Sequence, residues 1–148
     1  MIDLLKHFDK PVAKTIKAVF QKSYAIEAEL LNATDFPPLK RPLSAFTKCI
    51  NDFWGYYIED ELVGVVEIHE DDSIHIQSLV VLPDHFRKGV GRQLMRHILS
   101  QYQSSLFMVE TGLENIPAIA LYEHFGFSII KEWDTDHGVR KVRMELQM

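Results

Sequence analysis

Apolar and polar positions follow two periods along this chain. Val12, Ile16, Val19, Phe20, Tyr24 and Leu31 recur near helical spacing, which predicts one helix from Pro11 to about Leu31. A proline is tolerated in a first helical turn. NATDFPPLKRP follows, with three prolines in eleven residues, and reads as a loop because each pre-proline residue is pushed away from the helical region. A short helix is expected from Leu43 to Ile50. FWGYYIED and ELVGVVEIHE are rich in aromatic and β-branched residues and read as two strands joined by a tight turn at Glu59-Asp60. A second acidic turn, Glu70 to Ser73, leads into IHIQSLVVLP, a strand that must end at Pro83 because proline has no N–H for a ladder.

Helical spacing returns after two glycines. Val90, Leu94, Ile98 and Tyr102 lie four apart, with Met95 and Leu99 beside them, and form one apolar stripe. SLFMVET reads as a short buried strand. Asn115 is a good N-cap for a helix over IPAIALYEHF, with Pro117 in its first turn and Gly126 as its stop. Two strands close the chain, Ser128 to Trp133 and Val139 to Leu146. The last, VRKVRMELQM, alternates partly and is expected at a sheet edge, where Arg140, Lys141 and Arg143 would blunt pairing. The order is helix, helix, three strands as a meander, helix, strand, helix, two strands. The strand–helix–strand passage in the middle calls for a right-handed crossover to a parallel neighbour. The expectation is a single domain, residues 1–148, of the mixed α/β class: a mostly antiparallel twisted sheet of six to seven strands flanked by about four helices.

Charge and cysteine content narrow the function. A net charge of −5 is a poor match for phosphate backbones, so no nucleic acid is expected as a partner. Cys49 is the single cysteine, which leaves neither an internal disulfide nor a multi-cysteine zinc site. No apolar run approaches the roughly 20 residues of a membrane span, and the first ten residues lack a signal-peptide core. A cytoplasmic protein is expected, monomer or homodimer, with no membrane partner. His69, Glu70, Asp71, Asp72 and His75 are ligand types, but they span a hairpin turn where acidic residues are ordinary, so no metal is expected.

The stretch LPDHFRKGVGRQLM carries the chemistry. A P-loop needs Lys-Ser/Thr after its last glycine, and here Gly91 is followed by Arg92-Gln93. A dinucleotide fingerprint needs a third glycine where Leu94 stands. Two readings survive. One is a glycine-softened turn with solvated basic residues. The other is an anion site, in which glycines admit a ligand close to the backbone and the first N–H groups of the helix point at it.

Two motifs together decide between them. LVVLPDHFRKGVGR (Leu79 to Arg92) and NIPAIALYEHFGF (Asn115 to Phe127) resemble, at the right separation, the signature of the GCN5-related N-acetyltransferase (GNAT) superfamily. The element order fits that fold, with its first strand missing or reduced to IDLL. The resemblance covers the chain from about Phe53 onward. It departs at Phe86, where the family often has Gln or Arg. The resemblance implies an acetyl-CoA-dependent N-acyltransferase acting on a primary amine, either a small molecule or a peptide or protein N-terminus. It implies that Leu79, Val80 and Val81 pair with the pantetheine arm, that the N–H groups of Arg87, Lys88, Gly89, Val90, Gly91 and Arg92 cradle the pyrophosphate, and that Asn115 contacts the arm. It also makes Tyr122 the general acid.

An amine acceptor must lose a proton, so a base or a water chain is needed. His75 is one candidate, sharing a strand face with Gln77, Leu79 and Val81 by period-2 alternation. Glu110 is the second, at the place where relatives that acetylate protein N-termini carry a glutamate base. Glu67 is a third. Asp35 could pair with a cationic acceptor, and Phe36, Phe46, Trp54, Tyr56 and Tyr57 could wall its pocket, although core or strand surface is the commoner fate of such aromatics. The alternative from a different class is a coenzyme A-binding sensor or interaction module without turnover.

Overall fold

The computed structural model describes residues 1–148. Its elements run β1 (Ile2–Leu4), α1 (Lys10–Leu30), α2 (Ser44–Thr47), β2 (Asp52–Ile58), β3 (Glu61–Glu70), β4 (Ile74–Val81), α3 (Val90–Gln101), β5 (Leu106–Gly112), α4 (Ile116–His124), β6 (Ser128–Asp134) and β7 (Arg140–Gln147). Short 3-10 turns at Pro37–Lys40 and Pro83–His85 carry the two proline-bearing segments. The expected first strand is present but reduced to three residues, and the expected second helix is a single turn.

Seven strands make one sheet in the order β1-β2-β3-β4-β5-β7-β6. Only β4 and β5 run parallel; every other neighbour is antiparallel. This corrects the expected place of the last strand. β7 lies inside the sheet, between β5 and β6, and its Val142 and Met144 are fully buried. The partial alternation of VRKVRMELQM is thus that of an interior strand with one core face. β6 is the edge, and Ile129 and Ile130 are exposed on it.

Helices cover both faces. A Cβ on Gly64 would lie 2.7 Å from the Val90 side chain, so the missing side chain lets α3 sit close on one face. On the other face α1 buries Ala13, Ile16, Val19 and Phe20. The Phe20 ring meets Phe46 edge-on at 5.0 Å, which fixes α2 beneath α1.

Two irregularities in the middle of the sheet position the site. The parallel pairing of β4 with β5 lasts only from Ile74↔Phe107 to Ile76↔Val109. Beyond it, Gln77–Val81 and Glu110–Gly112 have no strand partner in each other, and the sheet opens. At the same level β4 carries a bulge: Ile68 faces Ile76 and Glu67 faces Ser78, leaving Gln77 as the extra residue.

Candidate active site

The opening between β4 and β5 is one large cleft of about 1160 Å³. Its walls come from α1, the Phe36–Arg41 segment, the end of β4, the loop into α3, the end of β5, α4, the β6–β7 turn and the start of β7.

On the β4 side the ladder decides which backbone groups are free. The Leu82 N–H donates to Val63 O at 2.8 Å, so by antiparallel alternation Val80 also faces β3, while Leu79 and Val81 turn their groups to the open side. Leu79 and Val81 line the cleft; Val80 is 1% exposed, packs in the core and does not. The Val81 N–H already accepts company from α1, donating to Ser23 Oγ at 3.3 Å.

The glycine loop forms the next wall. Arg87 and Gly89 hold left-handed backbone, with φ of 64° and 81°. A left-handed residue followed by right-handed helix is a backbone arrangement that presents N–H groups to an anion. Gly89 is the N-cap of α3 and supplies no side chain to cap it, so the first N–H groups of that twelve-residue helix have no internal partner. Phe86, Arg87, Gly89, Val90, Gly91 and Arg92 line the cleft, whereas Lys88 is exposed outside it. The departure from the family pattern, Phe86, therefore still borders the cleft, 40% exposed.

The α4 side brings Asn115 and Tyr122. Asn115 Oδ1 caps its helix by accepting from the Ala118 N–H at 3.3 Å. Its Nδ2 donates to Glu27 on α1, across the opening. Tyr122 is 4% exposed, yet its residue borders the cleft. Burial, with smaller contributions from Tyr24 and Glu27, pushes its phenol above the usual value, so it stays protonated at neutral pH.

The base candidates separate. Glu110 lines the cleft at the end of β5 and is exposed there. His75 does not line it. Because of the bulge at Gln77, His75 pairs with His69 and shares a face with Ser78 and Val80, not with Leu79 and Val81. It sits at the β3–β4 turn, 3.1 Å from Ser73 Oγ and 3.7 Å from Asp71. Glu67 is a buried carboxylate, 3% exposed, held by both Arg41 guanidinium nitrogens at 2.7 and 3.1 Å, by Asn51 Nδ2 at 2.8 Å and by Ser78 Oγ at 3.2 Å. Burial alone would raise it, but the hydrogen bonds and charge of Arg41 outweigh that and hold it below the usual carboxylate range. A carboxylate so engaged is an anchor and a poor proton acceptor.

The remaining expectations sort the same way. Of the five aromatics named as pocket walls, Phe36 lines the cleft. Phe46 is core; Trp54 donates to Tyr102 at 2.9 Å and Tyr56 to Gln93 at 3.2 Å, outside it. Asp35 pairs with Lys40. The structure groups no three His, Cys, Asp or Glu side chains in metal-holding geometry.

Sequence reading missed Glu27 and Lys141. Burial raises the Glu27 carboxyl above its usual value, against the lowering pull of Asn115 and of Lys141. The signal was present: Tyr24, Glu27 and Leu31 recur at i, i+3 and i+7, so a glutamate stands within an apolar stripe.

Comparison with known proteins bears on the family and the fold. The model of the acetyltransferase (GNAT) family matches residues 20–127. The UPF0157 protein YqkA of Bacillus subtilis (strain 168) is 32% identical over 129 residues, 86% of this chain and 38% of that protein. The ribosomal protein bS18-alanine N-acetyltransferase of Escherichia coli (strain K12) is 33% identical over 60 residues, 38% of this chain and 40% of the relative. The chain thus spans well under two thirds of these relatives' lengths. A crystal structure of the ribosomal-protein-S18-alanine N-acetyltransferase from Escherichia coli superposes with a TM-score of 0.77 at 21% identity, covering 99% of this chain and 92% of that one. The PaiA N-acetyltransferase of Thermoplasma acidophilum, solved in complex with coenzyme A, gives 0.72 at 16% identity over 100% and 99%. The fold is theirs, and on the family match over most of its length this chain belongs to the acetyltransferase (GNAT) family.

Proposed function

We propose that this protein transfers an acetyl group from acetyl-CoA to a primary amine, of a small molecule or a peptide N-terminus, within the β4–β5 cleft. The observation that carries the reading is the coincidence, in one cleft, of a free strand edge, an uncapped helix N-terminus and a buried phenol. Acetyl-CoA, when bound, supplies an activated thioester carbonyl.

The chain's residues divide the work. The open-side backbone groups of Leu79 and the carbonyl of Val81, whose N–H is held by Ser23, pair with the amides of the pantetheine arm as an added strand would. The N–H groups from Gly89 to Arg92 receive the pyrophosphate, and Arg87 and Arg92 add charge around it. The remaining Nδ2 hydrogen of Asn115 is available to the arm. Tyr122 donates to the sulfur as the C–S bond breaks and the amine nitrogen bonds to the carbonyl carbon. The amine's proton goes to Glu110, directly or through a water. His75 has no part in this scheme, nor has Val80 or Lys88. Matches to an N-alpha-acetyltransferase and to the ribosomal protein acetyltransferase support a peptide or protein amine as one acceptor class.

Incubation with acetyl-CoA and a panel of amines and short peptides, with detection of the freed thiol and the acetylated product, tests the reading. Amine-dependent release is expected. Tight coenzyme A binding with no release over any acceptor would replace it with the non-catalytic binding module.

A further inference from the structure

The acceptor end of the cleft carries two opposite charges that nothing in the proposed chemistry uses. Glu27 spends one carboxylate oxygen, Oε1, on Asn115 Nδ2, and the other has no protein partner. Lys141 lies on β7 directly opposite Gly112 of β5, over which the Leu31 side chain of α1 packs. It is half-buried, lines the cleft and has no carboxylate within ion-pair distance. It is nevertheless close enough to pull on the Glu27 carboxyl. Of the other charged groups lining this end, Arg41 is held by Glu67, and Glu110, without an ion-pair partner, is the proton acceptor already assigned.

The same end is roofed. Phe36 meets the Tyr24 ring at 6.0 Å and the His137 ring at 5.9 Å, and it clusters with Leu31 and Val139. The segment after α1 and the β6–β7 turn therefore touch over the cleft. Phe36 and His137 both line the cleft, so their contact borders the acceptor and favours a small one.

We propose that Glu27 and Lys141 together receive the acceptor, and that it is a small primary amine bearing an anionic group, an amino-acid-like zwitterion whose ammonium meets Glu27 and whose anion meets Lys141. This deepens the acetyl-transfer reading and rests on it for the identity of the reaction. A polyamine is disfavoured because its second cation would approach Lys141. Glu110 keeps the role of proton acceptor; Glu27 and Lys141 set specificity.

The test compares free amino acids, their amides, a diamine and an alanine-initiated peptide, as initial rates at saturating acetyl-CoA and as calorimetric titrations into the coenzyme A-loaded protein. The wild type should favour the free amino acid over its amide by about tenfold or more, the size expected for one charge-assisted contact. Lys141→Gln should collapse that preference. Glu27→Gln keeps an oxygen for Asn115 and removes the charge; it should raise KM and Kd for the amino acid by about tenfold while coenzyme A affinity and Tm stay put. Equal or better use of the amide, the diamine or the peptide by the wild type would overturn the proposal, as would unchanged amino-acid affinity in both variants. Because binding is read separately, selective binding without turnover would sink the acetyl-transfer reading and leave this one standing.

Discussion

Burial, with Tyr24 and Glu27 adding to it, raises the Tyr122 phenol above the ordinary value of about 10. Full transfer of its proton to a thiolate is then uphill, since a thiol sits near 8.5. On the proposed scheme Tyr122 would act by donating a hydrogen bond to the sulfur where negative charge develops. Tyr122→Phe is expected to cut kcat by about 100-fold with KM little changed, and no descending limb of kcat in the wild type below about pH 10 should belong to this residue. His75→Ala should leave kcat/KM unchanged from pH 6 to 9, because the side chain lies at the hairpin turn. Glu67 makes a stability prediction. Its folded pKa lies below the unfolded one, so its contribution is complete above about pH 4.3 and is lost as pH falls through the folded value. Glu67→Gln leaves Arg41 short of its counter-charge and should cost about 3 kcal/mol at pH 7 in urea melts, with the gap to wild type closing in acid.

At the scale of the element, most boundaries were legible because the two periods are clean. α1, α3, the β2–β3–β4 meander and the Asn115 cap all stand where spacing puts them. What was not legible came from contacts between distant segments. The bulge at Gln77 falls where Ser78 donates to Glu67 across the ladder, and a period-2 count through it assigns His75 to the wrong face. Val80 turns its backbone to β3 for a related reason: which alternate residues of β4 face the opening follows from the Leu82–Val63 hydrogen bond. The edge assignment of β7 failed because strand order is not written in a strand's own pattern. The α3 N-terminus yields an element-scale test. Gly89 has open space around its Cβ position but a φ of 81°, so Gly89→Ala should fail by backbone strain and not by a clash. We expect a loss of about 1 kcal/mol in stability and a several-fold rise in coenzyme A Kd, read by thermal melts and calorimetry.

At the scale of the molecule, the sheet is both the scaffold and the site. Helix α1 closes one face and α3 the other, and the cleft runs through the sheet where β4 and β5 part after three residue pairs. Side chains from elements far apart in sequence meet there: Glu27 from α1 reaches Asn115 at the head of α4. That contact ties the helix bearing Tyr122 to α1 across the cleft. The sequence motifs marked the glycine loop and the head of α4, since such backbone turns and caps leave glycine and proline signatures. Glu27, Glu110 and Lys141 are single residues of α1, β5 and β7, which leave none. The most direct measurement of the central claim is mass-spectrometric quantification of acetylated amine formed from acetyl-CoA by wild type and by Tyr122→Phe, both shown to bind coenzyme A equally. Product is expected with the wild type and about 100-fold less with the variant. Equal product from the two, or none from the wild type over the whole acceptor panel, would contradict it.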